Sequence, residues 1–134
     1  MAFDADNPYF RTKVLTASPE ELRMLLLEGC VRFLRAGRDF QAAKQWEKSF
    51  DSLSGAKAII MELLGALRPE FAPELCRNLQ ALYTYIYQLI TFGSLEKNLG
   101  KLDEAIALME HDAETWRMLL DKLAQERAEG KTPA

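Results

Sequence analysis

Few residues in this chain are of types suited to catalysis or metal binding, and their spacing keeps them apart. The sequence has one histidine, His111, and two cysteines, Cys30 and Cys76. Met109 belongs to an apolar stripe, and two helical residues turn the chain by about 200°, so His111 is predicted on the solvent side. Di-iron sites of helical bundles use Glu-x-x-His pairs, but the residue three before His111 is Leu108. We therefore predict no metal site and no cofactor.

The remaining reactive groups have structural explanations. The cysteines show no C-x-x-C spacing and lie in apolar segments, which is typical of reduced core thiols. A cysteine nucleophile would lack an evident base, and the chain has neither a glycine-rich phosphate loop nor a G-x-S-x-G motif. The acidic pairs at 20–21 and 103–104 fall in the first turns of predicted helices, where the helix dipole stabilises carboxylates. The sequence predicts a protein that is not an enzyme.

Composition restricts the partners and the compartment. The 134 residues, 49% of them hydrophobic, suffice for one domain with a core. The formal charge of -3 arises from 20 acidic and 17 basic residues that are interleaved, so no nucleic-acid partner is expected. No apolar run approaches the roughly 20 residues that cross a bilayer, and the first residues lack the pattern of a signal peptide. We predict a cytoplasmic protein without membrane insertion.

Helical periodicity runs through most of the chain, and no strand pattern competes with it. Ser18, Pro19 and Glu21 form a capping-box pattern, which predicts the start of a first helix that ends at Gly37. The second helix is expected to begin near Phe40 to Ala43 and to run to about Leu67.

Two more helices complete the predicted fold. The third is expected over about 73–92 with a stop at Gly93, and the fourth follows a cap at Asn98. Short links between four helices indicate an all-α, antiparallel four-helix bundle. The predicted organisation is an extended N-terminal segment at 1–17, the bundle at 18–125 and a flexible tail at 126–134.

The third predicted helix carries more apolar surface than one core needs. One stripe at helical spacing faces a core, and two more stripes follow other sides. The first consists of Leu75, Leu79, Leu82, Ile86 and Leu89, the second of Tyr83, Tyr87 and Ile90, and the third of Tyr85 and Phe92. Periodicity leaves three explanations open: a helix buried on several sides, a homodimer interface, or a groove for another chain.

The order of several short motifs resembles that of the FliS family of flagellin export chaperones. The match begins with Asn7-Pro8-Tyr9 and continues with the run Val14 to Leu22. Later matching positions are Gly29, Arg32 to Leu34, Ala58 to Ile60, Glu62, Leu63, Asn78, Leu79, Ala81 to Tyr83, Tyr85, Tyr87, Leu102 to Glu104 and Trp116. The chain departs from the family pattern at Leu27, where a tyrosine is common, and at Gly93-Ser94, where an Ala-Asn pair is common.

The resemblance implies a noncatalytic chaperone that binds the disordered C-terminal segment of flagellin in the cytosol. It further implies that the chaperone prevents premature polymerisation and aids delivery to the flagellar type III secretion apparatus, whose export gate is a further candidate partner. The expected client-binding residues are Tyr9, Ile59, Leu79, Leu82, Tyr83, Ile86 and Tyr87. The segment around Tyr9 is expected to cover part of the client groove. The alternative is a self-associating helical-bundle protein, with a homodimer interface and no flagellin client.

Overall fold

The computed structural model describes residues 8–130, and this part of the chain contains helices and no strands. The helices are α1 (Pro8–Thr16), α2 (Pro19–Ala42), α3 (Trp46–Gly65), α4 (Pro73–Leu95) and α5 (Leu99–Ala128). The all-α prediction is confirmed. The described residues form five helices, one more than the four expected, because α1 precedes the helix that begins after Ser18. None of the helices within 8–130 is long and apolar enough to cross a membrane.

Local hydrogen bonds explain where two of the long helices begin. The Glu21 amide donates to Ser18 Oγ at 3.2 Å and the Ser18 amide donates to Glu21 Oε1 at 3.4 Å, which completes the predicted capping box of α2. At the start of α5, the Lys101 amide donates to Asn98 Oδ1 at 3.1 Å. Both predicted helix starts are confirmed.

The four long helices pack around one core. Helix α2 lies beside α3 and α5, and α4 lies beside the same two helices, so the four close into a ring. The links at 43–45 and 96–98 are short, so the helices they join are antiparallel neighbours. The largest fully buried side chains are Leu27, Leu34, Leu53, Ile59, Ile60, Leu63, Tyr83, Ile86, Ile90, Leu102 and Met109.

Two glycines that were expected to end helices lie inside them. Helix α2 continues through Gly37 to Ala42, and α4 continues through Gly93 to Leu95, so both predicted stops are wrong. A Cβ at Gly37 would lie 2.5 Å from Leu53 Cδ2, and one at Gly93 would lie 2.7 Å from Leu102 Cδ2. These glycines allow neighbouring helices to approach closely.

The chain reverses direction at lysines instead. Lys44, between α2 and α3, has φ 61°, and Lys97, between α4 and α5, has φ 52°. Both values fall in the left-handed region, which a lysine adopts at some cost in energy. Sequence rules favour glycine or asparagine at such positions, so the left-handed conformation of these two lysines was not predicted.

Both ends of the described chain are more helical than predicted. The extended conformation expected for the N-terminal segment is wrong for residues 8–16, because Pro8 is compatible with a first helical turn and α1 follows it. Residues 1–7 lie outside the described residues. At the other end, α5 runs past the expected boundary at 125 to Ala128, and residues 131–134 lie outside the described range.

Replacing Gly37 by Ala should lower the free energy of unfolding by about 1–3 kcal/mol, because the new methyl group overlaps the buried Leu53 side chain. Gly65→Ala is the matched control, since a Cβ added there would meet nothing within 4 Å. That variant should be neutral or more stable by about 0.4–1 kcal/mol. Urea unfolding followed by circular dichroism measures both. Equal stability of the two variants would contradict the close packing of α2 on α3.

Candidate protein-binding surfaces

The seven residues expected to bind a client do not lie on one accessible surface. Ile59, Tyr83 and Ile86 are fully buried in the core. Leu79, Leu82 and Tyr87 of α4 are partly buried and pack against that core. Tyr9 lies on α1 and is 72% exposed. The seven expected client residues thus fall into three groups: three core residues, three partly buried residues on α4 and one exposed residue on α1.

Tyr83 is a polar cross-link between three helices. Its hydroxyl donates to Asp112 Oδ2 of α5 at 2.6 Å and accepts from Arg23 Nη2 of α2 at 2.5 Å. The Arg23 guanidinium lies 5.1 Å from the centre of the Trp116 ring, whose indole N–H donates to the Glu20 carbonyl at 3.0 Å. Burial raises the pKa of the Tyr83 phenol, and the hydrogen bond to Asp112 raises it further. The ring and its hydroxyl therefore serve the fold.

The cysteines are core thiols, as predicted. Cys30 and Cys76 are free and buried. Burial raises the pKa of the Cys30 thiol to about 12, with a smaller contribution from the charge of Asp112, so this thiol stays protonated at neutral pH. Within residues 8–130 no group of three His, Cys, Asp or Glu side chains could hold a metal ion.

The face between α2 and α5 is charged. Arg35 pairs with Glu110, Arg38 Nε lies 2.8 Å from Asp103 Oδ1, and Arg117 bridges the two helices by pairing with Glu28. His111 is exposed on α5, as predicted. Exposed ion pairs of this kind each stabilise by about 0–1 kcal/mol, so this face positions two helices and offers little apolar surface.

A first apolar groove lies between α1 and α2, and we name it the α1–α2 groove. Its volume is about 510 Å³. The lining comprises Phe10, Arg11, Val14 and Leu15 of α1, Leu22, Leu25 and Leu26 of α2, and Glu62 of α3. Helix α1 forms one wall of this groove and has no buried residue of its own, so it covers α2 without entering the core.

A second groove lies between α3 and α4 and is named the α3–α4 groove. It has a volume of about 350 Å³ and is lined by Phe50, Leu53, Ser54, Lys57, Ile90, Thr91, Ser94, Leu95 and Lys97. Phe50 is 64% exposed and Leu95 is 73% exposed. Phe50 lies three residues before the buried Leu53, so helical periodicity alone does not separate this groove position from a core position.

The described residues form a small all-helical protein with apolar grooves between its helices. Comparison with known sequences gives the family. The family model described as "Flagellar protein FliS" matches residues 1–123, and the chain belongs to this family.

Three relatives carry the name "Flagellar secretion chaperone FliS". The one from Bacillus subtilis is 27% identical, over 90% of this chain and 92% of the relative. The one from Campylobacter jejuni is 29% identical, over 84% and 88%. The one from Escherichia coli K12 is 34% identical, over 78% and 77%. The resemblance read from the sequence motifs is thereby confirmed.

Replacing Tyr83 by Phe should lower the free energy of unfolding at pH 7 by about 1–3 kcal/mol, because Asp112 and Arg23 lose their shared hydroxyl. Tyr85→Phe is the matched control, since Tyr85 is partly exposed and its hydroxyl donates to the exposed Glu104. The free energy of unfolding of the control should differ from that of the wild type by no more than about 0.5 kcal/mol.

Comparison of the wild type with Tyr83→Phe at high pH tests the raised pKa of the Tyr83 phenol. Above the unfolded pKa of about 10, ionisation of this phenol stabilises only the unfolded chain, so the wild type loses stability as pH rises. Tyr83→Phe lacks this loss, and the stability gap between the two proteins should narrow by up to about 1.4 kcal/mol per pH unit above pH ~10. Urea titrations at pH 7 and at higher pH measure the gap. A constant gap would contradict burial of the phenol.

Proposed function

We propose that this protein is a flagellin export chaperone. It binds the disordered C-terminal segment of flagellin in the cytosol, prevents premature polymerisation and aids delivery to the flagellar type III secretion apparatus. The observation that carries the proposal is an apolar groove between α2 and α1, a helix without a buried residue, in a member of the FliS family. The names of the relatives, which are secretion chaperones, support it.

A disordered client requires a broad apolar surface. Folding on binding typically buries on the order of 1,000–3,000 Å² and loses roughly 2–5 kcal/mol to ordering of the client. An amphipathic segment recovers this loss when its apolar face enters a hydrophobic groove. In the α1–α2 groove Leu22, Leu25 and Leu26 of α2 supply apolar surface that does not depend on α1, and Glu62 of α3 supplies a charge beside it.

In this proposal α2 to α5 act as an antiparallel four-helix bundle and α1 acts as a removable cover. Because α1 has no buried residue, its displacement exposes little surface that was fully buried before. Tyr9 would leave with α1. Among the other predicted client residues, three are partly exposed and could contact the client: Leu79, Leu82 and Tyr87. The remaining three are fully buried and would contribute only through the core: Ile59, Tyr83 and Ile86.

The proposal includes no catalytic step. The chaperone works by mass action, because a client segment folded on its surface is unavailable for polymerisation. Release at the export gate would then require a partner that competes for the client or for the chaperone.

Calorimetric titration with the C-terminal segment of flagellin from the same organism tests the proposal, with the N-terminal segment as the control. We expect saturable binding near one to one and a large negative heat-capacity change. Leu25→Glu places a charge in the α1–α2 groove and should weaken binding at least tenfold. Met118→Glu, on an exposed residue of α5 that lines neither groove, should leave it unchanged.

Failure of the folded wild type to bind either segment would overturn the proposal. Sedimentation at several concentrations would then examine the alternative, a self-associating helical protein, since exposed apolar side chains such as Phe71, at 83% exposure, also suit an interface between copies.

Deletion of residues 1–15 tests the cover. If α1 competes with the client for the α1–α2 groove, the truncated protein should bind the C-terminal segment more tightly, because no displacement is required. Calorimetry measures the affinity, and hydrogen exchange at Leu22 to Leu26 measures exposure of the groove. Unchanged affinity and unchanged exchange would contradict the role of α1 as a cover.

A further inference from the structure

The α3–α4 groove combines an apolar floor with unbalanced positive charge. Its two charged lining residues are Lys57 and Lys97, and no carboxylate from residues 8–130 lines it. Neither ammonium group forms a salt bridge with the residues that the structure describes, whereas the nearby Lys101 Nζ lies 2.6 Å from Glu96 Oε1. The groove therefore has two cations available to an incoming anionic group.

Aromatic rings hold both lysines in place. Lys57 Nζ lies 4.7 Å from the centre of the Tyr87 ring, and Lys97 Nζ lies 4.7 Å from the centre of the Trp46 ring. Such contacts attract the ammonium group to the face of the ring. The side chains thus lose part of their conformational freedom before any partner arrives, which lowers the entropy that binding would cost.

The two lysines are separated along the groove, because Lys97 lies over the ring of Trp46, the first residue of α3, whereas Lys57 lies further along the same helix. Trp46 and Lys57 are eleven residues apart on α3, which corresponds to about 16 Å at 1.5 Å per residue. Between these positions lie Phe50 and Leu95, both largely exposed, above the buried Leu53 and Ile90. A helix of about three turns would span this distance.

We propose that the α3–α4 groove is a second docking site for the client, taking an amphipathic helical stretch with an apolar face and carboxylates about three turns apart. The apolar face packs on Phe50 and Leu95, and the carboxylates pair with Lys57 and Lys97. This inference rests on the proposed function, because it assigns the groove to the same client chain. It adds a requirement for two carboxylates on the client.

Charge complementarity favours this occupant over parts of the protein itself. Helix α1 carries Arg11 and Lys13 and no acidic residue, so it would repel the lysines of this groove. The α4 wall has no charged residue from Asn78 to Leu95, so a second copy facing the groove through α4 would bring no counter-charge from that helix.

The test is a charge reversal at both lysines with a matched control. Lys57→Glu combined with Lys97→Asp reverses the two cations, and aspartate tolerates the left-handed backbone at position 97. The control combines Lys48→Glu with Lys44→Asp. Lys44 has the same left-handed conformation, Lys48 also lies over an aromatic ring, and neither lysine lines the groove. Both double variants change the net charge equally.

We expect the groove variant to bind the C-terminal segment of flagellin about tenfold more weakly than the control variant at low salt. The difference should fall to about twofold or less in 1 M salt, where the screening length is about 3 Å. In the wild-type complex, carbodiimide coupling should join Lys57 and Lys97 to client carboxylates about three helical turns apart. Mass spectrometry of the cross-linked peptides identifies the pairs.

Equal affinities of the two double variants, or cross-links at Lys44 and Lys48 only, would overturn the inference. Loss of concentration-dependent dimers in the groove variant, without loss of client affinity, would overturn it as well and assign the groove to a second copy. Failure of the wild type to bind the segment at all would instead overturn the proposed function. Circular dichroism of each variant confirms that the comparison is between folded proteins.

Discussion

The hydrogen bonds of the Tyr83 hydroxyl are the constraint on which the arrangement of α2, α4 and α5 depends. Asp112 and Arg23 come from different helices and meet at one buried oxygen, so none of the three helices can shift along its neighbours without breaking a bond. A buried polar group left without its partner costs about 1–3 kcal/mol, which makes other registers unfavourable. Apolar packing alone would tolerate more sliding, because it is not directional.

With the helices held in this register, α2 and α4 each keep apolar side chains outside the core. The core uses one side of α4, and its other sides carry uncharged residues that reach solvent, including Tyr85 at 44% and Phe92 at 45% exposure. Helix α2 likewise has its apolar residues 22, 25 and 26 outside the fully buried set and beneath α1. The surplus apolar surface read from the sequence is thus divided between a core and two grooves.

Sequence reasoning succeeded where the cause of structure is local. The starts at Ser18 and Asn98 depend on hydrogen bonds that span three residues, so the residue types alone predict them. It failed where the cause is distant. Gly37 accommodates Leu53, and Tyr83 finds partners 60 and 29 residues away, neither of which periodicity reveals. Because periodicity does not show which stripe of a helix is buried, the residues expected to bind the client included both core positions such as Ile86 and accessible ones such as Tyr9.

The positions of the two grooves bear on how one disordered client would be held. The α1–α2 groove reaches Glu62 of α3, and α3 also forms one wall of the α3–α4 groove, so the two grooves share a helix. Under the proposed function, a client segment bound in one groove would bring its next stretch to the other at an effective concentration set by the length of client between the two stretches. The two sites would then reinforce each other, and loss of either one would weaken client binding. Under the proposed function, binding at two sites would let the chaperone hold its client tightly in the cytosol and still release it when a partner at the export apparatus competes for one of the sites.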